Sequence, residues 1–107
     1  MDISYKDRKL EKIFNSDKEL NKAYGTLRAK KIKLRLGILK AAKNLELVPA
    51  FKPERRHKLS GDREGQWSFD LDGNYRLFFV PVTDKKTNEI RLEDISAVQI
   101  IEVDDPH

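Results

Sequence analysis

The chain has no cysteine. That excludes disulfides, thiolate metal sites and cysteine nucleophiles, and it fits a reducing compartment. It has one tryptophan, one methionine and two histidines among 107 residues. Two histidines without cysteine leave no metal-ligand cluster at recognisable spacing. There is no glycine-rich phosphate loop and no defensible pairing of nucleophile and base. No apolar run approaches the length of a membrane span. The first residues, Met1-Asp2-Ile3-Ser4-Tyr5-Lys6, lack the apolar core of a signal peptide. The expectation is a soluble, cytoplasmic protein without cofactor, metal or membrane partner. Its length suits one small domain over residues 1–107.

Charge is plentiful and unevenly placed. The net charge is +4. Residues 1–63 hold 18 Lys/Arg against 8 Asp/Glu, a net of +10, and residues 64–107 hold 4 against 10, a net of −6. The segment Arg28–Lys58 carries 11 basic residues, opposed only by Glu46 and Glu54. Such a field attracts polyanions by neutralising phosphates and releasing counterions. A solvated lysine-rich helix face is the equal alternative.

Hydrophobic periodicity gives the architecture. Ile3–Lys6 reads as a short strand. Asp7 or Ser4 caps a helix through Asn15, with Leu10, Ile13 and Phe14 on one face. Ser16-Asp17 caps a second helix carrying Leu20, Ala23 and Tyr24, and Gly25 breaks it. A third helix runs from Thr26 to about Leu45. One stripe holds Ile32, Leu36, Leu39 and Lys43, and an adjacent one holds Leu34, Ile38, Ala41 and Leu45. Lys30, Lys33, Arg35 and Lys40 are expected on the opposite side.

Pro49 and Pro53 make residues 46–58 a loop. The period then becomes two. Trp67, Phe69 and Leu71 form the buried face of a strand, and Asp72-Gly73-Asn74 is a hairpin turn. Tyr75–Val80 is apolar on both faces except for Arg76, which predicts a central strand. Thr83–Asp94 reads as a loop in which Ile90 and Leu92 extend a strand edge. Ala97–Val103 is the last strand. The order predicts an α+β fold, with two to three N-terminal helices packed on a small, mainly antiparallel sheet.

The most informative segment is His57-Lys58-Leu59-Ser60-Gly61-Asp62-Arg63-Glu64-Gly65-Gln66-Trp67-Ser68-Phe69, followed by Gly73-Asn74-Tyr75-Arg76-Leu77. It resembles the HigB branch of the RelE/ParE toxin superfamily, the plasmid maintenance killer proteins. The pattern is His-x-Leu-x-Gly-Asp-Arg-x-Gly-x-Trp-Ser, a hairpin, then Asn-aromatic-Arg. The tail Asp104-Asp105-Pro106-His107 is similar to the family's acidic, His-ending terminus. The likeness covers residues 57–80 and the tail well, and the helices loosely.

The resemblance implies a RelE-like fold and a type II toxin. Its activity would be metal-independent, ribosome-dependent cleavage of mRNA, in which the RNA's own 2′-OH attacks the adjacent phosphate. The implied partners are the ribosome and mRNA, a helix-turn-helix antitoxin of HigA type, and operator DNA through the toxin–antitoxin complex. Arg76 matches the family's arginine near the scissile phosphate, where a planar fork of donors stabilises charge. The alternative for Arg76 is an ion pair with Glu102 or Asp70. His107 matches the terminal histidine, a candidate general acid or base, against the alternative of a frayed tail. His57 matches a third position, for RNA orientation or proton transfer, and is nearly as readily structural. Arg55, Arg56 and Lys58 are read as RNA-backbone contacts. Arg63 either contacts phosphate or pairs with Asp62 or Glu64. Trp67 is read as core before base-stacking platform.

Two positions depart from the pattern. Ser60 stands where members often carry a catalytic lysine, leaving Lys58 or Arg56 as the candidate substitute. Pro106 replaces the tyrosine before the last histidine. The ParE branch, which inhibits DNA gyrase without cleavage, is the alternative function. A basic RNA-binding module without activity is a third.

Overall fold

The computed structural model describes residues 1–84 and 90–105. The first strand, β1 (Asp2–Tyr5), leads into three helices, α1 (Arg8–Phe14), α2 (Asp17–Tyr24) and α3 (Thr26–Ala41). Each of the first two begins where a side chain takes over a backbone acceptor's task. Extended Asp7 accepts the Leu10 N–H at 2.8 Å, and Ser16 accepts the Glu19 N–H at 3.2 Å. These bonds satisfy donors that a helix start leaves unpaired. Gly25, at φ 84°, ends α2 in the left-handed region. Its carbonyl then accepts the Ala29 N–H at 2.9 Å to start α3.

One row of α3, Ala29, Ile32, Leu36 and Leu39, is buried. The second expected stripe is buried only in part: Ile38 packs half-buried against the core and Leu45 is buried, while Ala41 is exposed. Leu34 is 56% exposed and Arg35 is 7% exposed, which corrects the placement of those two residues, whereas Lys30, Lys33 and Lys40 are exposed as expected. At about 100° per residue, Leu34 lies opposite the Ile32–Leu36 row and Arg35 flanks it. A narrow stripe fills the space under the sheet. The Arg35 head is satisfied there by donating from Nε to the Asp70 carbonyl at 2.7 Å. The helix stops at Ala41, short of the expected Leu45. Asn44 caps a separate 3-10 turn at Leu45–Leu47, and Leu45 is fully buried.

The remaining strands are β2 (His57–Lys58), β3 (Trp67–Asp70), β4 (Arg76–Pro81) and β5 (Ala97–Asp104). The sheet order is β1-β5-β4-β3-β2. Only β1 and β5 run parallel, and the other pairs are antiparallel. The fold is therefore α+β, three helices on a five-stranded, mostly antiparallel sheet, as the periodicity predicts. The two-residue β2 is too short to show a period of its own in the sequence. Leu92 does not extend a strand, because Leu92–Asp94 forms a 3-10 turn.

Alternation gives the sheet two distinct faces. Phe69, Leu77, Phe79, Val98 and Ile100 join the helices' Phe14, Leu20, Ile32 and Leu39 in one buried cluster. Each such side chain stabilises the fold by about 1.5–3 kcal/mol relative to exposure. The outer face carries two cross-strand rows. One is His57, Ser68, Phe78 and Glu102, and the other is Asp70, Arg76 and Asp104. Phe78 is 1% exposed but lies outside the main cluster.

Candidate functional site

The outer face is where the chemistry-bearing residues gather. The loop after β2 folds back, closed by the Leu59 N–H to the Gln66 carbonyl at 3.0 Å. It carries Arg63 over Phe78, with the guanidinium carbon 3.7 Å from the ring centroid. That contact explains a buried phenylalanine on the outer face: a cation stacks on its π surface. Between loop and sheet lies a cleft of about 350 Å³ lined by His57, Lys58, Leu59, Ser60, Asp62, Arg63, Arg76 and Phe78.

The matched residues His57, Arg63 and Arg76 thus share one cleft, with Lys58 and the departing Ser60 in the same wall. His57 and Lys58 are exposed on the edge strand. Arg76 opens β4, between β3 and β5, as expected for a central strand. Among the described residues it forms an ion pair with Asp70, at 3.8 Å from Nε. That is an ion-pair distance but too long for a hydrogen bond.

The other arginines are held more tightly. Arg55, in the left-handed region at φ 46°, grips Asp70 from Nε and Nη2 at 2.7 and 3.1 Å. That hydrogen bonding and charge raise its pKa, holding it charged. Arg56 donates from Nη1 to the Leu45 carbonyl at 2.7 Å and sits 5.6 Å from the Trp67 ring centroid. Burial lowers its pKa. Arg63 donates to Gln66 Oε1 at 2.9 Å and to Glu102 Oε1 at 2.5 Å, with Asp104 at 4.0 Å. Its carboxylate partner is Glu102, 39 residues away, in place of the neighbouring Asp62 or Glu64.

Asp70 organises this region, and sequence reasoning does not single it out as a site residue. Its N–H donates to the Glu54 carbonyl at 2.8 Å, its own carbonyl accepts from Arg35, and its carboxylate faces Arg55 and Arg76. A signal for it exists, since strand alternation puts Ser68 and Asp70 on one face. Arg28 fixes the hairpin beside it. Arg28 donates to both Asp72 oxygens at 2.9 and 3.1 Å and stacks 3.5 Å from the Tyr75 ring centroid. This clamp sets the approach of the chain to Arg76.

Trp67 is half-buried and packs against the core, in phase with Phe69. Its edge also lines a more apolar cavity of about 450 Å³ with Lys58, Pro81, Ile90 and Leu92. Pro106 and His107 lie outside the described residues. Among the described residues no group of three His, Cys, Asp or Glu side chains is placed to hold a metal. No helix among them is long and apolar enough to cross a membrane.

The fold and the cleft define the chain as a small α+β protein with a cation-lined groove on the open face of its sheet. No protein-family model matches the sequence, and no curated protein matches it.

Proposed function

We propose that this chain is a RelE/ParE-superfamily toxin of the HigB branch, acting in the cytoplasm as a ribosome-dependent mRNA endonuclease. The observation that carries the reading is the contrast among the outer-face arginines. Arg55, Arg56 and Arg63 donate within the fold, whereas Arg76 faces the cleft with no hydrogen-bonded carboxylate among the described residues. A guanidinium held in a groove beside His57 and Lys58 suits a phosphate bearing growing negative charge.

The reaction needs no metal. The 2′-oxygen attacks its neighbouring phosphorus, a base takes the hydroxyl proton, and the P–O5′ bond breaks as an acid protonates the leaving oxygen. Arg76 stabilises the crowded phosphoryl group. His57, with His107 from the tail, supplies the proton transfers, and Lys58 replaces the cation that Ser60 cannot provide. Arg55, Arg56 and Arg63 take a double role, holding the loop and hairpin in place while adding positive potential for the RNA backbone. A HigA-like helix-turn-helix antitoxin restrains the toxin, and the pair meets operator DNA mainly through the antitoxin.

The test is expression in a translating extract with mRNA 5′ ends mapped by primer extension, beside Arg76→Ala and His57→Ala. The expected result is codon-linked cuts that fall by at least about 100-fold in Arg76→Ala, the scale of losing one transition-state donor. Translation without new cuts, together with lost gyrase supercoiling, would replace this reading with the ParE-like one.

A further inference from the structure

A second concavity adjoins the first. It measures about 340 Å³ and is lined by Lys52, Arg55, Asp70, Gly73, Asn74 and Arg76. Arg76 is the residue that lines both. Three cations face one carboxylate here, a net of +2, which disfavours a metal cation. The polar walls offer little to an apolar ligand.

The Asp70 backbone is held on both sides. Asp70 is tied through its N–H to Glu54 and through its carbonyl to Arg35. Its carboxylate accepts from Nε and Nη2 of Arg55, and this two-pronged pair sets the Arg55 head at the wall. A guanidinium carries five N–H donors, so the Nη1 pair of Arg55 is left over. Lys52 is exposed and makes no ion pair among the described residues.

We propose that this second cleft binds a backbone phosphate of single-stranded RNA, contacted by Lys52 and Arg55, one step along from the phosphate at Arg76. The inference rests on the proposed RNA cleavage and adds the path of the substrate. The strand crosses the outer face from the His57–Lys58 edge towards the β3–β4 hairpin, with Arg76 between two phosphates. A linear polyanion is the ligand that fills two adjoining cationic basins at once.

The probe is a fluorescent 2′-O-methyl RNA decamer, whose blocked 2′-oxygen prevents cleavage, bound across about 50–200 mM salt and read by anisotropy. For a single strand, removing one cation that neutralises a phosphate lowers the slope of log K against log salt by about 0.7. Lys52→Gln is expected to lower it by that amount, Lys52→Arg to restore it, and Lys58→Gln to lower it separately. Lys40→Gln, on α3, is expected to leave it unchanged. An unchanged slope in Lys52→Gln, with a lowered one in Lys58→Gln, overturns the second site and leaves the cleavage reading standing. Failure of the wild-type chain to bind the decamer, or indifference of binding to Arg76→Ala, overturns the two-phosphate path, while absence of the codon-linked cuts in the translating extract is what overturns the cleavage reading. Equal affinity for a duplex of the same length overturns the single-strand path.

Discussion

At the scale of residues, position separates arginines that build from the one that is available. Arg55 and Asp70 form a two-pronged, partly buried pair, the geometry in which guanidinium and carboxylate fit best. Asp70→Ala removes that acceptor and the carboxylate that pairs with Arg76 among the described residues. Because both partners remain about a third exposed, solvent screening limits the cost to about 1 kcal/mol. Arg76→Ala is expected to change stability by less than about 0.5 kcal/mol, since its own ion pair is long. Urea unfolding of the two variants checks the contrast. A large destabilisation in Arg76→Ala would make that arginine a structural residue and remove the main support for a phosphate at that position.

At the scale of elements, two glycines flanking and within α3 behave oppositely. Gly25 adopts φ 84°, while Gly37 is mid-helix, and a Cβ on either meets no atom within 4 Å. Space is therefore not the issue, and backbone conformation decides. Gly25→Ala is expected to cost about 1–2 kcal/mol through left-handed strain. Gly37→Ala is expected to stabilise by about 0.5–1 kcal/mol, by restricting the unfolded chain and favouring helix. Thermal melts of both variants test this, and matching signs would contradict the argument.

The same elements show why some of the fold can be read from sequence. The caps at Asp7 and Ser16, the break at Gly25 and the turn at Gly73 are local effects, written within three or four residues. The two-fold alternation from Trp67 to Leu71 is equally local. Other features depend on what packs from afar. Arg35 is buried because the Asp70 carbonyl waits for it 35 residues away. Leu34 is exposed because only one row of α3 fits under the sheet. The partner of Arg63 comes from β5, which no inspection of Asp62 or Glu64 reveals. For the site, the matched segment brings His57, Arg63 and Arg76 to notice, but only folding puts Asp70 among three arginines.

The helical layer also carries a pH signature. Tyr5 at the end of β1 packs tilted against Phe14 of α1, which meets Tyr24 of α2 edge-on, with ring centroids 5.4 and 6.1 Å apart. Burial first, then Glu11 for Tyr5 and Glu102 for Tyr24, raises both phenols above 10.0. The fold thus favours the neutral phenol. Its contribution is complete below the ordinary phenol pKa and is lost as pH climbs through the raised folded value. Denaturant unfolding between about pH 9 and 11 should show stability falling more steeply in wild type than in Tyr24→Phe. Parallel profiles would contradict the assignment.

At the scale of the whole molecule, the basic first half and acidic second half partly answer each other. Arg28 with Asp72, Arg55 with Asp70, and Arg63 with Glu102 each join the two halves across the fold. Arginines make these joins, whereas Lys30, Lys31 and Lys40 stay exposed on α3. Those lysines lie on the helical layer, beyond a helix about 10–12 Å across from the sheet's outer face. The screening length at 0.15 M salt is only about 8 Å. Their field therefore reaches an RNA on the outer face in dilute salt and is largely screened at physiological salt. The triple variant Lys30→Gln, Lys31→Gln, Lys40→Gln should slow association with the decamer by at least about twofold in low salt. It should leave the affinity at about 0.15 M within twofold of wild type. Stopped-flow association and anisotropy separate the two quantities. If the triple variant instead weakens binding at 0.15 M as much as Lys58→Gln does, the RNA contacts α3 directly and the outer face is not the whole interface.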